Sequence, residues 1–404
     1  MPKIHLTAAE AAAALGVTRA TLYAYTSRGQ LRSEPVHGSP RERHYSREEI
    51  ERLRERKEAR RDPAKAARGG LHWGSPVLDS SLTLIHEGKL YYRGEDVENL
   101  ARERSLEEIA GLLWDAGGDG ASRMFSQPPV LSKARLARLH AMAGDDPISL
   151  LQLVLPLAGG ADWASGDLRP ESVRLTGSRL LRTLVAALTG RQAAMPVHRA
   201  LGALWAPQNA AAAEAIRIAL VLCADHELNA STFVARCAAS AGASPYEVVS
   251  AALATLKGHR HGGASERLAA LLAEIGRPER ARIVIGSRLR RGEALPGFGH
   301  PLYANGDPRA ALLLKTAGAG AGKRERRLVA QVAKAGWELL QLHPNLDFGL
   351  VAVARAFGLS DQSPMVLFAL GRVVGWIAHA IEQYGSDQLI RPRARYTGPG
   401  PKGE

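Results

Sequence analysis

Five segments of this 404-residue chain set proton-carrying and anion-binding side chains among apolar neighbours. Two are Ala224-Asp225-His226-Glu227-Leu228-Asn229-Ala230-Ser231-Thr232 and Lys257-Gly258-His259-Arg260-His261-Gly262-Gly263-Ala264. The third, Pro296-Gly297-Phe298-Gly299-His300, runs on to Asp307-Pro308-Arg309, and the fourth is Pro344-Asn345-Leu346-Asp347-Phe348. The last, Arg391-Pro392-Arg393-Ala394-Arg395-Tyr396-Thr397-Gly398, follows Gly371-Arg372. Histidine and aspartate are the usual proton-transfer residues, and arginine holds carboxylates through a bidentate fork. Taken singly, each segment has an ordinary explanation. A lone histidine is more often a hydrogen-bonded core or surface residue, Asp225 and Asp347 read as helix caps, and Arg372 reads as a buried ion-pair partner.

Taken together, in this order and spacing, the five segments closely resemble the citrate synthase family over nearly all of residues 70–400. The resemblance implies a two-lobed, mainly α-helical fold. It also implies condensation of acetyl-CoA with oxaloacetate to citrate and CoA, or of propionyl-CoA to 2-methylcitrate. In that reaction Asp347 would take the acyl proton, His261 would hold the enol oxygen, and His300 would polarise the ketone and protonate the new alkoxide. His226, Arg309 and Arg372 would grip the oxaloacetate carboxylates, and Arg391 would reach across from the second subunit of a homodimer. Pro296, Gly297, Phe298 and Gly299 would lie against the coenzyme A thioester, which is a co-substrate; no bound cofactor and no metal is implied. The residue types suit these roles. A thioester α-proton yields to a carboxylate only if the enol oxygen is stabilised as it forms. A histidine before two glycines and a helix N-terminus stays neutral and still donates one hydrogen bond.

The chain departs from the family pattern near the coenzyme. Ala304 and Asn305 stand where a cation near the CoA phosphates is usual, Gly258-His259-Arg260-His261 replaces Gly-Pro-Leu-His, and Ser265 replaces the asparagine after Gly-Gly-Ala. Arg260 is a candidate to supply the missing phosphate contact. None of the changes touches His261, His300 or Asp347. That intact set favours activity, while the altered coenzyme loop and the fused N-terminal domain favour an alternative, a metabolite sensor with weak or no catalysis.

The elements that must carry these residues are mostly helical. Apolar residues recur at helical spacing over 178–188, 211–224, 231–241, 245–256, 265–275, 326–342, 350–357 and 365–383, and Ser105 with Glu108 caps a helix through Trp114. Short alternating stretches at 82–85 and 89–92 read as paired strands. The large lobe is expected at about 71–260 and 350–404, and the small lobe at about 261–349.

Residues 1–62 form a separate domain, joined by a linker at 63–70 within the Pro- and Gly-containing stretch RRDPAKAARGG. Thr7 caps a helix over 8–15 that Gly16 ends, Thr18 caps a second over 19–27, and Ala9, Ala12, Ala13, Val17 and Leu22 are expected to pack the pair. A wing over 31–45 and a third helix capped by Ser46 and Glu49 follow. This stretch resembles the winged helix-turn-helix of the MerR and excisionase type, over about residues 4–61. It implies binding to double-stranded DNA through Arg19, Thr21, Tyr23 and Ala24, with Arg41 and Arg43 along the backbone or minor groove. A docking or oligomerisation device is the plainer reading.

Composition agrees with two soluble domains. Lys and Arg outnumber Asp and Glu by 53 to 40, and by 15 to 9 up to Arg68 alone, so the N-terminal part is the more basic per residue. Two cysteines, Cys223 and Cys237, exclude a disulfide scaffold and a four-cysteine zinc site. The longest apolar candidate, 366–381, is interrupted by Arg372 and His379, short of a membrane span. With no apolar leader in MPKIHLTAAE, a cytoplasmic location is expected.

Overall fold

A computed structural model of the chain describes residues 5–27, 31, 33–36, 39–46, 49–50, 53, 78–117, 120–192, 195–394 and 396–400. It divides into two compact units, Met1–Asp79 and Ser80–Glu404. The expected linker at 63–70 lies outside the described residues, as do Gly29 and part of the expected Ser46–Glu49 cap.

In the first unit, Thr7 and Glu10 form a reciprocal capping box at the start of helix Ala8–Ala14. Gly16, at φ +61°, turns the chain, and Thr18 Oγ1 accepts the Thr21 N–H at 3.2 Å to open helix Arg19–Ser27. The buried stripe is Ala11, Ala12, Leu15 and Leu22, together with Leu6, Leu31, Tyr45 and Ile50. Ala12, Val17 and Leu22 pack as expected, but Ala9 and Ala13 face solvent. In an unbroken alanine run the apolar period has no phase, and Leu15 fixes it. Ser39–Ser46 is the centre of an antiparallel sheet, flanked by Glu34–Val36 and by His5–Thr7, with Leu6 opposite Tyr45. The sequence had not marked that His5–Thr7 strand. Three residues are too few to show alternation.

The second unit opens with hairpin Thr83–His86/Lys89–Tyr92, extended by Glu95–Asp96. Glu87 and Gly88, at φ +50° and +77°, make the tight two-residue turn that matches strand twist. Helices then dominate. The expected ones appear within a few residues of their places, as Ala210–Cys223, Ala230–Ser240, Pro245–Leu256, Ala264–Ile275, Lys323–Leu340, Leu346–Phe357 and Ser363–Ser386. The helix expected at 178–188 begins at Pro170. Lys133–Ala143, Pro147–Ala161, Val197–Trp205, Ala281–Arg290 and Pro308–Gly320 were not expected.

Ser363–Ser386 is long and apolar enough to cross a membrane, despite Arg372 and His379, but 94% of its apolar window is buried inside the fold. It is the core helix. It runs so close to the chain at 220–225 that a Cβ on Gly375 would sit 2.3 Å from the Ala224 carbonyl oxygen, and one on Gly371 2.6 Å from that of Leu220. That approach delivers Arg372 to the turn after Ala210–Cys223. A second cluster of buried apolar residues gathers Leu268, Leu272 and Ile275 with Ile285, Val332 and Phe348. Helices Ala264–Ile275 and Leu346–Phe357 both feed it; His261 precedes the first, and Asp347 lies in the first turn of the second.

Candidate active site

Helix Ala210–Cys223 ends at a turn in which Asp225 and His226 are buried. The buried Tyr92 hydroxyl ties the turn, donating toward the carbonyls of Val221 and Asp225 and accepting the Asp225 N–H. Asp225 accepts from Thr83 Oγ1 at 2.5 Å and lies 3.4 Å from His379 Nε2. Burial raises this carboxyl, but His379, Arg372 and Thr83 together hold it below its ordinary value. Asp225 is not a helix cap, and neither is Asp347. Asn229 and Asn345 cap the two helices concerned, by accepting the N–H groups of Thr232 and Phe348.

Four rings and guanidinium groups meet beside that turn. His226 Nε2 lies 3.0 Å from the Tyr303 hydroxyl, and its ring stands edge-on to His300 at 5.0 Å. Tyr303 lies 4.9 Å from the His300 ring and carries the Arg309 guanidinium 5.5 Å from its own. His300 Nδ1 accepts the Leu302 N–H at 3.3 Å, which puts the ring proton on Nε2. Arg309, buried, is held by Asp307 through Nε and Nη2 at 2.9 and 2.8 Å, and Asp307 also accepts the Leu346 N–H. Arg372 donates through Nε to the Cys223 carbonyl at 2.7 Å and lies over Phe368.

His261 stands before the N-terminus of Ala264–Ile275, edge-on to Phe368. Its Nε2 is 2.9 Å from Ser231 Oγ, which also accepts from Trp376 Nε1 and lies 2.8 Å from Asn229 Oδ1. Asp347 lies in the first turn of Leu346–Phe357, and Ser265 Oγ donates to its Oδ1 at 2.5 Å. Loop 296–300 is tied to the approach to Asp347. Gly299 donates to the His343 carbonyl, and Asn345 donates to the carbonyls of Gly297 and Gly299. Gly297 and Gly299 adopt φ +82° and +75°, a region that favours glycine. The Phe298 side chain is committed to the core, edge-on to Phe348 at 5.1 Å.

Burial decides the protonation of the cluster. It pushes His261 and His300 down to about 4, aided by Arg372 for the first and Arg309 for the second. His226 is driven well below its ordinary value by burial and then by both arginines. The same burial raises Asp347 to about 6 against the pull of Ser265 and Arg309. The arrangement is three neutral imidazoles, two buried guanidinium groups and one carboxyl near its titration point. It can bind a dianion, donate neutral hydrogen bonds and move a proton.

His226, His261, His300, Arg309, Arg372 and Asp347 are thus drawn into one electrostatic neighbourhood. Arg391 is not part of it. It is exposed, on the segment after the core helix. In the other unit, Arg19, Tyr23 and Arg43 are exposed, Thr21 and Ala24 are half-buried, and the Arg41 side chain lies outside the described residues. Tyr303, Ser231 and Asp307 had not been singled out as site residues. Ser231 lies in the first of the five segments and Tyr303 just after the third, but only the fold shows which histidine each meets. Cys223 is buried with its thiol pushed up to about 12, and Cys237 is half-buried. Among the described residues no three His, Cys, Asp or Glu side chains converge as metal ligands.

The family model described as "Citrate synthase, C-terminal domain" matches residues 70–393, and one described as "Helix-turn-helix domain" matches residues 6–58. Citrate synthase 2 of Bacillus subtilis is 32% identical over 360 residues, covering 81% of this chain and 95% of that one. The 2-methylcitrate synthase of Mycobacterium tuberculosis is 31% identical over 338 residues, covering 76% of this chain and 84% of that one. The crystal structure of citrate synthase from Thermotoga maritima superposes with a TM-score of 0.70 at 28% identity, covering 81% of this chain and 94% of that one. The chain therefore belongs to the citrate synthase family and carries a helix-turn-helix domain ahead of its two-lobed, mainly α-helical body.

Proposed function

We propose that the chain condenses the acyl group of acetyl-CoA with oxaloacetate, giving citrate and free CoA. The observation that carries this reading is the convergence of three neutral histidines and a buried carboxyl on two buried arginines. Arg309 and Arg372, with His226, hold the oxaloacetate carboxylates. They suit a dianion because guanidinium groups stay charged when buried. His300 donates Nε2–H to the ketone oxygen, since its Nδ1 is already an acceptor. With the Ser231 proton directed to His261 Nε2 rather than to Asn229, the ring proton sits on Nδ1, which is left to donate to the thioester oxygen. Asp347, ionised above about 6, takes the acyl α-proton. The C–H pair becomes the enol double bond, and the enol carbon attacks the ketone. His300 protonates the alkoxide, and hydrolysis of the thioester releases CoA.

Arg391 is assigned to the site of the partner subunit in a homodimer. Support for a dimer comes from the helix Pro147–Ala161 and its end, where Leu157 and a fully exposed Trp163 offer apolar surface.

The test is thiol release with oxaloacetate, run in parallel with acetyl-CoA and propionyl-CoA. Release that needs both substrates and disappears in H261A/D347A supports the reading. Preference for propionyl-CoA would reassign the chain to 2-methylcitrate synthesis. One methylene shifts such a preference by only about 1–3 kcal/mol, and relatives of both kinds match, at 32% and 31% identity.

A second role is favoured by the helix-turn-helix match and the exposed Arg19 and Tyr23: the N-terminal unit binds double-stranded DNA.

A further inference from the structure

Ser265 sits in the first turn of helix Ala264–Ile275, four residues after His261 and only 2% exposed. Its hydroxyl donates to Asp347 Oδ1 at 2.5 Å. Asp347 lies in the first turn of Leu346–Phe357, so two helix N-termini meet at one carboxyl, and each favours its negative form.

The other groups around it are fixed by the same packing. Asp307 and Arg309 face it from the start of Pro308–Gly320, and Arg267 from the helix of Ser265. The neutral Cys223 thiol ends Ala210–Cys223 and feels both Asp347 and Arg372 of the core helix. From Lys323–Leu340, Glu325 pairs with Arg355 at the far end of Leu346–Phe357.

We propose that Ser265 is the positioning residue for the base: its hydroxyl fixes the carboxyl plane through Oδ1 and reserves Oδ2 for the substrate proton. This rests on Asp347 being the base. In the step concerned, the acyl Cα–H bond breaks and an O–H bond forms at Oδ2. The C–H electron pair becomes the C=C bond, and the thioester oxygen takes the developing charge against His261. A carboxyl free to rotate offers either oxygen and loses its alignment with the C–H bond. The chain from His261 into the first turn of that helix therefore carries both the proposed enol-stabilising imidazole and the group that aims the base.

The experiment compares the full-length wild type, S265A and S265T in two readouts. The first is kcat and KM against pH in the thiol-release assay. S265A should lower kcat about tenfold or more, leave KM for oxaloacetate unchanged and move the lower pH limb upward by about one pH unit. S265T, which keeps the hydroxyl, should restore both. An S265A enzyme with wild-type kcat and an unmoved limb overturns the proposal. So does one in which KM rises with no change of the limb, because that is a packing effect.

The second readout needs no turnover. The protonated carboxyl band of Asp347, identified by its loss in D347N, is titrated by difference infrared spectroscopy. Its midpoint should rise in S265A and return in S265T, and an unmoved midpoint overturns the proposal. A wild type that releases no thiol defeats the synthase reading instead, while the infrared midpoints still decide the Ser265 contact.

Discussion

As the proposed base, Asp347 is subject to opposed demands. Catalysis needs a carboxylate that is a strong enough base, and burial supplies this by raising the group from 3.8 to about 6. Folding pays in the opposite sense. A group whose pKa is raised on folding stabilises the fold below its unfolded pKa and loses that contribution as pH rises through the folded value. At neutral pH the ionised carboxyl is thus a net burden on the fold. D347N should abolish thiol release, by about 10²–10⁴-fold, and stabilise the protein at pH 7 by about 1–3 kcal/mol in denaturant unfolding. In the wild type, kcat should climb with pH through about 6 as the carboxyl ionises. His261 and His300, held down to about 4, should remain neutral across that climb. Their stability contribution has the other sign. It is present above the ordinary histidine value and is lost as pH falls from there toward 4. A kcat profile flat across pH 5–7 would contradict the assignment of Asp347 as the base.

Positioning at the scale of elements depends on how closely the core helix approaches residues 220–225. A methyl at Gly375 would meet the Ala224 carbonyl at 2.3 Å and Asp225 Oδ1 at 2.5 Å, with backbone on one side and a buried carboxyl on the other. G375A should therefore destabilise the protein by about 1–3 kcal/mol. It should also raise KM for oxaloacetate, because Arg372 sits three residues away on the same helix. Equal thermal midpoints and equal KM for G375A and wild type would show that the approach is not needed.

The sequence made such helices legible through apolar residues at helical spacing, as over 231–241 and 245–256. Asn229 caps Ala230–Ser240, and Ser244 and Glu247 box the start of Pro245–Leu256. Pro147–Ala161 was hidden by Pro156 and by Gly159-Gly160 inside an otherwise apolar run. Gly159 is tolerated there because its missing Cβ would lie 3.0 Å from that of Tyr246. The site was legible in its histidines, Asp347 and the two arginines, which come in motifs. Ser231 and Tyr303 were not, because a lone hydroxyl acquires its role only from what the fold sets beside it. Asp225 and Asp347 were open to misreading as caps for a related reason: each stands a few residues from an asparagine that does the capping.

At the scale of the whole molecule, the question is why a basic helix-turn-helix unit precedes a body of this family. Its second helix presents Arg19 and Tyr23 to solvent, four residues apart and so on one face. If that face reads DNA, the full-length protein should bind duplex DNA with an affinity that falls steeply with salt. R19A/Y23A should weaken this binding about tenfold or more while leaving thiol release unchanged. DNA affinity equal in variant and wild type would remove the assignment and leave the unit as a docking device.

The most direct test of the central claim is the product itself. Full-length protein is incubated with oxaloacetate and acetyl-CoA, and free CoA and citrate are quantified together, with D347A and H261A beside the wild type. The proposed chemistry requires the two products in equal amounts from the wild type and a loss of both in either variant. Citrate formation that persists in both variants would contradict the assigned site. No citrate from a folded wild type that still binds oxaloacetate would contradict the synthase itself.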